Sequence, residues 1–299
     1  MNAIQIRNLT KNFGSKQALS GLNMTVPVGA IYGFIGENGS GKSTTEKIIC
    51  GLVQPNAGSV QLFGRDYTDA DVRAKIGVLI EAPGCFANYS VWNNMMLQAA
   101  NLSIKNAGQE IAKVLKMVRM EGAASNKYKN CSLGMKQRIG IAMALLGNPA
   151  LLVLDEPING LDADGMRIMR EILVDITKKY GCTVVVSSHI LGELEKVATH
   201  YGIVRGGKMI KEMTADELEA GCRTYVAFKT RDLNRAKTLL GCRYSRVEED
   251  EAGYVRVYDK TSPEEIVTCL YESGILVSEI KTDKIGLEEY YIDLMKEGR

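Results

Sequence analysis

The sequence predicts an α/β fold: a wound, largely parallel sheet with a helical subdomain, followed by a small α+β unit. Two observations lead there. Short, nearly continuous apolar runs at residues 30–35, 151–154 and 183–187 read as buried parallel strands, and helical segments alternate with them. The chain has 299 residues, which at about 150 per domain suggests about two domains with a core each.

Composition narrows the classes. With 37 Lys+Arg against 35 Asp+Glu, 45% apolar and 24% charged residues, the chain is of ordinary globular type, and disorder is disfavoured. A net charge of +2 gives no electrostatic case for nucleic acid as the main partner, and two His make a His-rich metal protein unsuited. The longest apolar stretches, 139–146 and 150–154, fall far short of the roughly 18 to 20 residues that cross a bilayer. Residues 1–10 lack a signal-peptide pattern, since Arg7 interrupts the apolar run, so a cytosolic location is expected. Cys50, Cys85, Cys131, Cys182, Cys222, Cys242 and Cys269 are scattered without a C-x-x-C pair. That pattern argues against disulfides and zinc and makes most of them small core hydrophobes.

In order, Ile4, Ile6 and Leu9 alternate as a first strand, 22–28 is a second, and 30–35 a third. A glycine-rich turn leads into a helix over 45–50 closed by Gly51. Residues 86–146 are mainly helical, with Ile111, Val114, Leu115 and Val118 on one buried face. A strand at 151–154, a helix over 165–180 and a β-branched strand at 183–187 follow. The spacing Thr214-Ala215-Asp216-Glu217 opens a short helix ending at Gly221, where a boundary separates 1–221 from 222–299. Beyond it the order is strand (224–228), helix (232–240), strand (243–248), strand (254–258), helix (263–273), strand (275–280). This βαββαβ order is that of the split, ferredoxin-like arrangement. Ser262-Pro263-Glu264-Glu265 supplies a capping box with Pro at the first helical position. A last helix carries Leu287, Tyr290, Tyr291, Leu294 and Met295 on one face.

Gly36-Glu37-Asn38-Gly39-Ser40-Gly41-Lys42-Ser43 fits G-x-x-x-x-G-K-[ST], with Thr44 following, between a buried strand and a helix. Glycines let the backbone N–H groups turn inward at a helix opening, where the dipole favours anions. Lys42 can reach the β- and γ-phosphates, and the Ser43 hydroxyl suits Mg2+. A glycine turn that merely caps a helix is the bland alternative, and both flanks count against it. Asp155, at the end of the 151–154 strand, can hold the water shell of the metal, and Glu156 is placed to polarise an attacking water.

Further segments resemble one family. Cys131-Ser132-Leu133-Gly134-Met135 looks like the ABC signature, Asn159-Gly160-Leu161-Asp162 the D-loop, His189 the switch histidine, and Phe13 the aromatic that stacks on adenine. Over about residues 1–221 the chain resembles the ATP-binding subunits of ABC transporters, P-loop ATPases whose helical subdomain here spans about 86–146. The resemblance implies ATP and Mg2+ as ligands. It places nucleotide on Phe13, Gly36, Asn38, Gly39, Ser40, Gly41, Lys42, Ser43 and Thr44, and metal on Ser43, Asp155 and the Q-loop position, here Glu81. Glu156 would be the general base, with His189 and Lys42 at the γ-phosphate. Two copies would close head to tail, so that Ser132 and Gly134 contact the γ-phosphate from across the interface, and Asp162 of the D-loop is counted among the nucleotide-binding residues. A homodimer bound to separately encoded membrane subunits, peripheral on the inner face of the cell membrane, follows.

Three positions depart from the family pattern. Leu133 and Met135 replace a glycine and a glutamine of the signature, Glu81 replaces the Q-loop glutamine, and Ile158 stands where Thr often follows. The hydroxyl of Ser132 and the amide of Gly134 survive, and a carboxylate at 81 keeps metal contact while losing amide donors. Glu81, the Ser-Leu-Gly-Met signature and the chain length resemble the bacitracin-resistance and lantibiotic-immunity branch of bacterial exporters. Residues 83–96, with Tyr89 and Trp92, lie where that family docks its membrane subunits; a core role is as good an account of Trp92. The leading expectation is an ATPase that drives export of a peptide antibiotic or other amphipathic compound. A soluble ABC factor acting on ribosomes or DNA is the alternative, disfavoured by a single ATPase half and no sustained heptads. Kinase or GTPase chemistry is disfavoured by the signature segment, the late histidine and the lack of Asn-Lys-x-Asp. The C-terminal unit is assigned a regulatory or dimerising role from its position alone.

Overall fold

The computed structural model describes residues 1–189, 191–221, 224–250, 252–259 and 261–297, so Cys222 lies outside the described residues. Contacts gather into two compact units, Met1–Ala215 and Asp216–Arg299.

In the first unit, β1 (Asn2–Phe13), β2 (Lys16–Pro27) and β3 (Ile31–Ile35) precede α1 (Lys42–Ile49). Next come β4 (Ala57–Leu62), β5 (Arg65–Asp66), α2 (Ala70–Arg73) and β6 (Ile76–Leu79). The helical subdomain holds α3 (Val91–Asn101), α4 (Ala107–Met117) and α5 (Leu133–Leu145). β7 (Leu151–Asp155), α6 (Ala163–Tyr180), β8 (Thr183–Ser188), α7 (Leu191–Glu195), β9 (His200–Arg205) and β10 (Lys208–Thr214) complete it.

A six-stranded sheet runs β10-β9-β3-β8-β7-β6. Its strands pair in parallel except β10, which is antiparallel to β9. Every residue of β3 and β8 is buried, as expected for strands covered on both faces. A second, antiparallel sheet runs β2-β1-β4-β5. α1 joins the two layers: Ile48 and Ile49 share one core with Ile4, Leu22 and Met24 of the antiparallel sheet and Leu151 and Val153 of β7. Each such side chain contributes roughly 1.5–3 kcal/mol of burial. In α4 the predicted face is closed, with Ile111, Val114 and Leu115 buried and Val118 just past the helix end. Ile158 is fully buried, a packing residue as its type suggested.

β3, β8 and β7 are neighbours, so their C-terminal ends deliver Gly36, His189 and Asp155 to one edge of the sheet. Ligands in wound sheets gather at that edge, where loops leave toward opposite faces.

Some elements differ from expectation. β2 begins at Lys16 rather than 22, because repeated register shifts against β1 break the alternation that marks a strand. α6 begins at Ala163 rather than 165, because Asp162 caps it: the carboxylate accepts from the Gly165 N–H at 2.8 Å. Of the cysteines, Cys50, Cys131, Cys182 and Cys269 are buried, Cys85 is half-buried and Cys242 is exposed.

The second unit contains α8 (Ala215–Gly221), β11 (Thr224–Thr230), α9 (Leu233–Gly241), β12 (Val247–Glu249), β13 (Val255–Val257), α10 (Pro263–Glu272), β14 (Val277–Lys284) and α11 (Leu287–Glu297). Its sheet runs β12-β13-β11-β14, every pair antiparallel. β12 is shorter than the predicted 243–248 strand, and β14 runs 277–284 rather than 275–280. The capping box at Ser262 and Glu265 forms as the sequence predicts. Phe228, Leu240, Ile266 and Leu270 close one core, and Tyr225, Tyr258 and Ile285 make a smaller one.

Candidate active site

The turn between β3 and α1 is built by steric exclusion. A methyl group on Gly36 would stand 2.5 Å from Ser40 Oγ and from the Val204 carbonyl oxygen. Gly41, the N-cap of α1, has φ 112 in the left-handed region, and a methyl there would press on Leu19 at 2.7 Å. The loop therefore folds over the start of α1 only with glycine at both places. Lys42 is buried, and its Nζ donates to the carbonyls of Gly36 at 2.6 Å and Glu37 at 3.2 Å. Ser40 Oγ is buried without a hydrogen-bond partner among the described residues. A glycine-built loop at the start of a helix, with a lysine ammonium beside it, suits a phosphate chain.

A cleft of about 350 Å³ opens beside this loop. Asn38, Gly39, Gly41, Lys42, Ser43 and Thr44 form one wall, Asp155, Glu156 and His189 the facing one, and Phe13 the rim, half exposed. Ser43 Oγ donates to Asp155 Oδ2 at 3.2 Å, and Ser187 Oγ donates to Asp155 Oδ1 at 2.7 Å. The Glu156 N–H returns to Ser187 Oγ at 3.1 Å. Glu156 has φ 51, a left-handed conformation that turns its side chain off the strand line toward His189. His189 Nδ1 lies 2.6 Å from Glu156 Oε2. An all-oxygen pair of hydroxyl and carboxylate, Ser43 with Asp155, is the donor chemistry a hard divalent cation takes.

Not every predicted site residue joins this cleft. Gly36 and Ser40 form the base of the loop rather than its wall. Glu81 pairs with Lys47 at 2.8 Å, a hydrogen bond that holds its carboxyl below the usual carboxylate range, and it does not line the cleft. Ser132 caps α5, accepting from the Met135 N–H at 3.3 Å, and Asp162 caps α6. Their segments meet each other instead: the Leu133 side chain reaches within 2.9 Å of where a methyl on Gly160 would stand. Phosphate-loop and signature residues of one chain thus face different spaces.

A profile of the family described as ABC transporter matches residues 19–159. The bacitracin transport ATP-binding protein BcrA of Bacillus licheniformis is 37% identical, over 99% of this chain and 98% of its own. The chain belongs to the ABC transporter family. This ABC ATP-binding subunit is also 41% identical to the lantibiotic transport ATP-binding protein SrtF of Streptococcus pyogenes, over 72% of the subunit and 93% of the relative. A dimeric ATP-binding cassette solved in a post-hydrolysis state with ADP and Pi superposes with TM-score 0.64, at 26% identity, over 71% of the subunit and 98% of that chain. The subunit binds and hydrolyses ATP, and its branch is the one its signature and Glu81 indicated.

Sequence reasoning missed three residues of this ABC subunit's site and named a fourth, Asn159, only within the D-loop segment. Lys16, Ala18 and Asn159 line the cleft, and Ser187 ties Asp155 to the Glu156 backbone. The polar run Ser187-Ser188-His189 at the end of an apolar strand was the available signal for Ser187. Lys16 and Ala18 carried none, because they belong to the irregular start of β2. Glu46 is a further surprise: a fully buried carboxyl whose protonation is held well above the usual range by burial, then by Asp155. Among the described residues no helix is long and apolar enough to cross a membrane.

Proposed function

We propose that the chain powers export of a peptide antibiotic or similar amphipathic compound through separately encoded membrane subunits, as one of two copies closing on ATP. The observation that carries this is the length of the likeness to the bacitracin relative, which runs through the second unit as well as the cassette. Cassette likeness alone would leave the transported class open. An exposed apolar surface supports membrane partners: Phe86, Tyr89, Met96 and Leu97 are all exposed in the helical subdomain. Beside them a groove of about 570 Å³ is lined by Ile80, Pro83, Gln98, Leu102 and Met143. That combination suits a short amphipathic helix of a membrane subunit and supports a position at the membrane periphery, on the inner face.

Within the site, Glu156 accepts the proton of the attacking water while His189 holds the carboxylate's other oxygen and reaches the γ-phosphate. Lys42 leaves the Gly36 and Glu37 carbonyls for the phosphates. Ser43 and Asp155 hold Mg2+, which when bound with ATP neutralises charge on the phosphates. Ser132 and Gly134, at the N-terminus of α5, suit the γ-phosphate of the opposite copy, because unpaired amides there attract an anion. Phe13 offers its exposed ring to adenine.

The test is resistance. Susceptible bacteria expressing the chain with its membrane subunits should tolerate more bacitracin or lantibiotic than cells carrying Glu156→Gln. Equal susceptibility of the two strains to every peptide antibiotic tried would overturn the export reading. The second unit is assigned to dimer stability or regulation; its deletion should weaken ATP-dependent dimerisation or change the ATPase rate, and unchanged values for both would reject that role.

A further inference from the structure

The sheet of the second unit leaves its longest strands unequally covered. β14 is an outermost strand and, among the described residues, pairs with β11 alone. α11, which follows it, reaches back to β13, where Glu289 accepts from Tyr258 Oη at 2.6 Å and from Arg256 Nη1 at 3.2 Å. Ser278, Glu279 and all of 281–284 are exposed. The outer row of N–H and C=O groups is a template for another strand. β14 has no proline, and Glu279, Lys281 and Asp283, on one face, alternate in sign. Lys281 lies 3.5 Å from Asp283, so the two charges sit side by side on the edge.

Alternating charge suits a strand opposed to its own copy, and the geometry selects the register. In an antiparallel pair, directly opposed residues turn their N–H and C=O groups both toward the partner or both away, and the two orientations alternate along a strand. A strand paired with itself therefore has its two-fold on a residue, not between residues. A two-fold on Glu279, Lys281 or Asp283 sets that charge against itself, which is destabilising. A two-fold on Ile280 runs into Ser278, the extra residue of β14 where its register against β11 shifts between Lys229 and Thr230. A two-fold on Thr282 has neither fault. Thr282 meets Thr282, each Lys281 meets Asp283 and each Ile280 meets the aliphatic stem of Lys284, all within the regular stretch.

We propose that β14 pairs antiparallel with β14 of a second copy across a two-fold at Thr282, joining the two four-stranded sheets into one. The inference rests on the reading of the second unit as a dimerising element, and it names the strand that does so. A single strand edge is a small contact, so it acts as a tether that keeps a second cassette at high local concentration when no ATP bridges the pair.

Sedimentation velocity of the full chain without nucleotide, over a concentration series, tests this. The parent should associate to dimers. Lys281→Asp, which sets Asp against Asp283, should weaken association about tenfold or more, and adding Asp283→Lys should restore it to within about twofold of the parent. Thr282→Cys in a Cys242→Ser background should give a disulfide-linked dimer with oxidised glutathione, whereas Glu249→Cys on the opposite edge strand β12 should not. A parent that stays monomeric at every concentration overturns the inference. So does a Lys281→Asp variant, folded by circular dichroism, that associates like the parent, or a double variant that fails to recover. If the parent and Lys281→Asp both dimerise, the strand assignment fails and the dimerising reading of the second unit stands. If the parent is monomeric, this inference fails, and ATP-driven closure of Glu156→Gln decides the two-copy reading by itself.

Discussion

His189 Nδ1 stands 2.6 Å from Glu156 Oε2, joining the ends of the adjacent strands β8 and β7 along one wall of the cleft. The contact holds one carboxylate oxygen and leaves the other for water. Glu156→Gln removes the proton acceptor but keeps the shape, so turnover should fall about 10²- to 10⁴-fold. ATP should still bind, and the closed dimer should accumulate. Phosphate release together with size exclusion in ATP measures both; a variant that stays monomeric in ATP and turns over at the parental rate refutes the general-base role.

Ser187 was invisible as a site residue, yet one hydroxyl serves both carboxylate-bearing positions: it donates to Asp155 and accepts from the Glu156 N–H. Ser187→Ala deletes the hydroxyl donor to Asp155 and one of the two acceptors of the Glu156 N–H, which keeps the Ser187 carbonyl at 3.2 Å, so the loss should cost about 0.5–1.5 kcal/mol. The expected result is a fall in kcat larger than any rise in KM for ATP, with a Tm a few degrees lower in differential scanning fluorimetry.

Lys42→Ala deletes a charge-assisted contact to phosphate, worth about 1.5–3 kcal/mol, so ATP affinity should drop roughly ten- to hundredfold. Equilibrium titration with a fluorescent ATP analogue reads this directly. Unchanged binding would contradict the phosphate-loop assignment.

Thiol labelling should sort the cysteines by environment. Burial pushes the Cys50 and Cys182 thiols up to about 12 and that of Cys85 up to about 11, so thiolate is scarce at neutral pH. Cys242 is exposed. A thiol reagent at pH 8 should therefore label Cys242 rapidly in the native chain, and Cys50 and Cys182 only after unfolding. Mass spectrometry of labelled peptides gives the order, and native labelling of Cys182 at the rate of Cys242 would contradict it.

The legible parts were those whose chemistry demands fixed spacing. Glycine at 36 and 41 follows from steric exclusion, and a carboxylate closing an apolar strand follows from the need for charge at a sheet edge, so both stood out before any fold was known. The Ile111 to Val118 stripe was legible because a helix repeats its buried face. What stayed hidden depends on geometry that residue type does not encode. The register shifts between β1 and β2 concealed the strand start that brings Lys16 to the cleft. Glu46 carries a charge that in a helix ordinarily faces water, and only the fold shows it buried. Asp162 and Ser132 show the reverse: both matched family motifs, and within a single chain both also serve as helix caps.

The separation of the Ser132 segment from the cleft that holds Lys42 has a genetic consequence in the proposed dimer. Each catalytic centre draws on two chains, so defects are counted per centre rather than per subunit. A Lys42→Ala copy paired with a copy damaged at Ser132 places both lesions in one centre and leaves the other whole. The same two lesions carried by one copy, beside a normal partner, strike both centres. Complementation between inactive alleles therefore depends on how the lesions are distributed, and two inactive parents can assemble a working transporter.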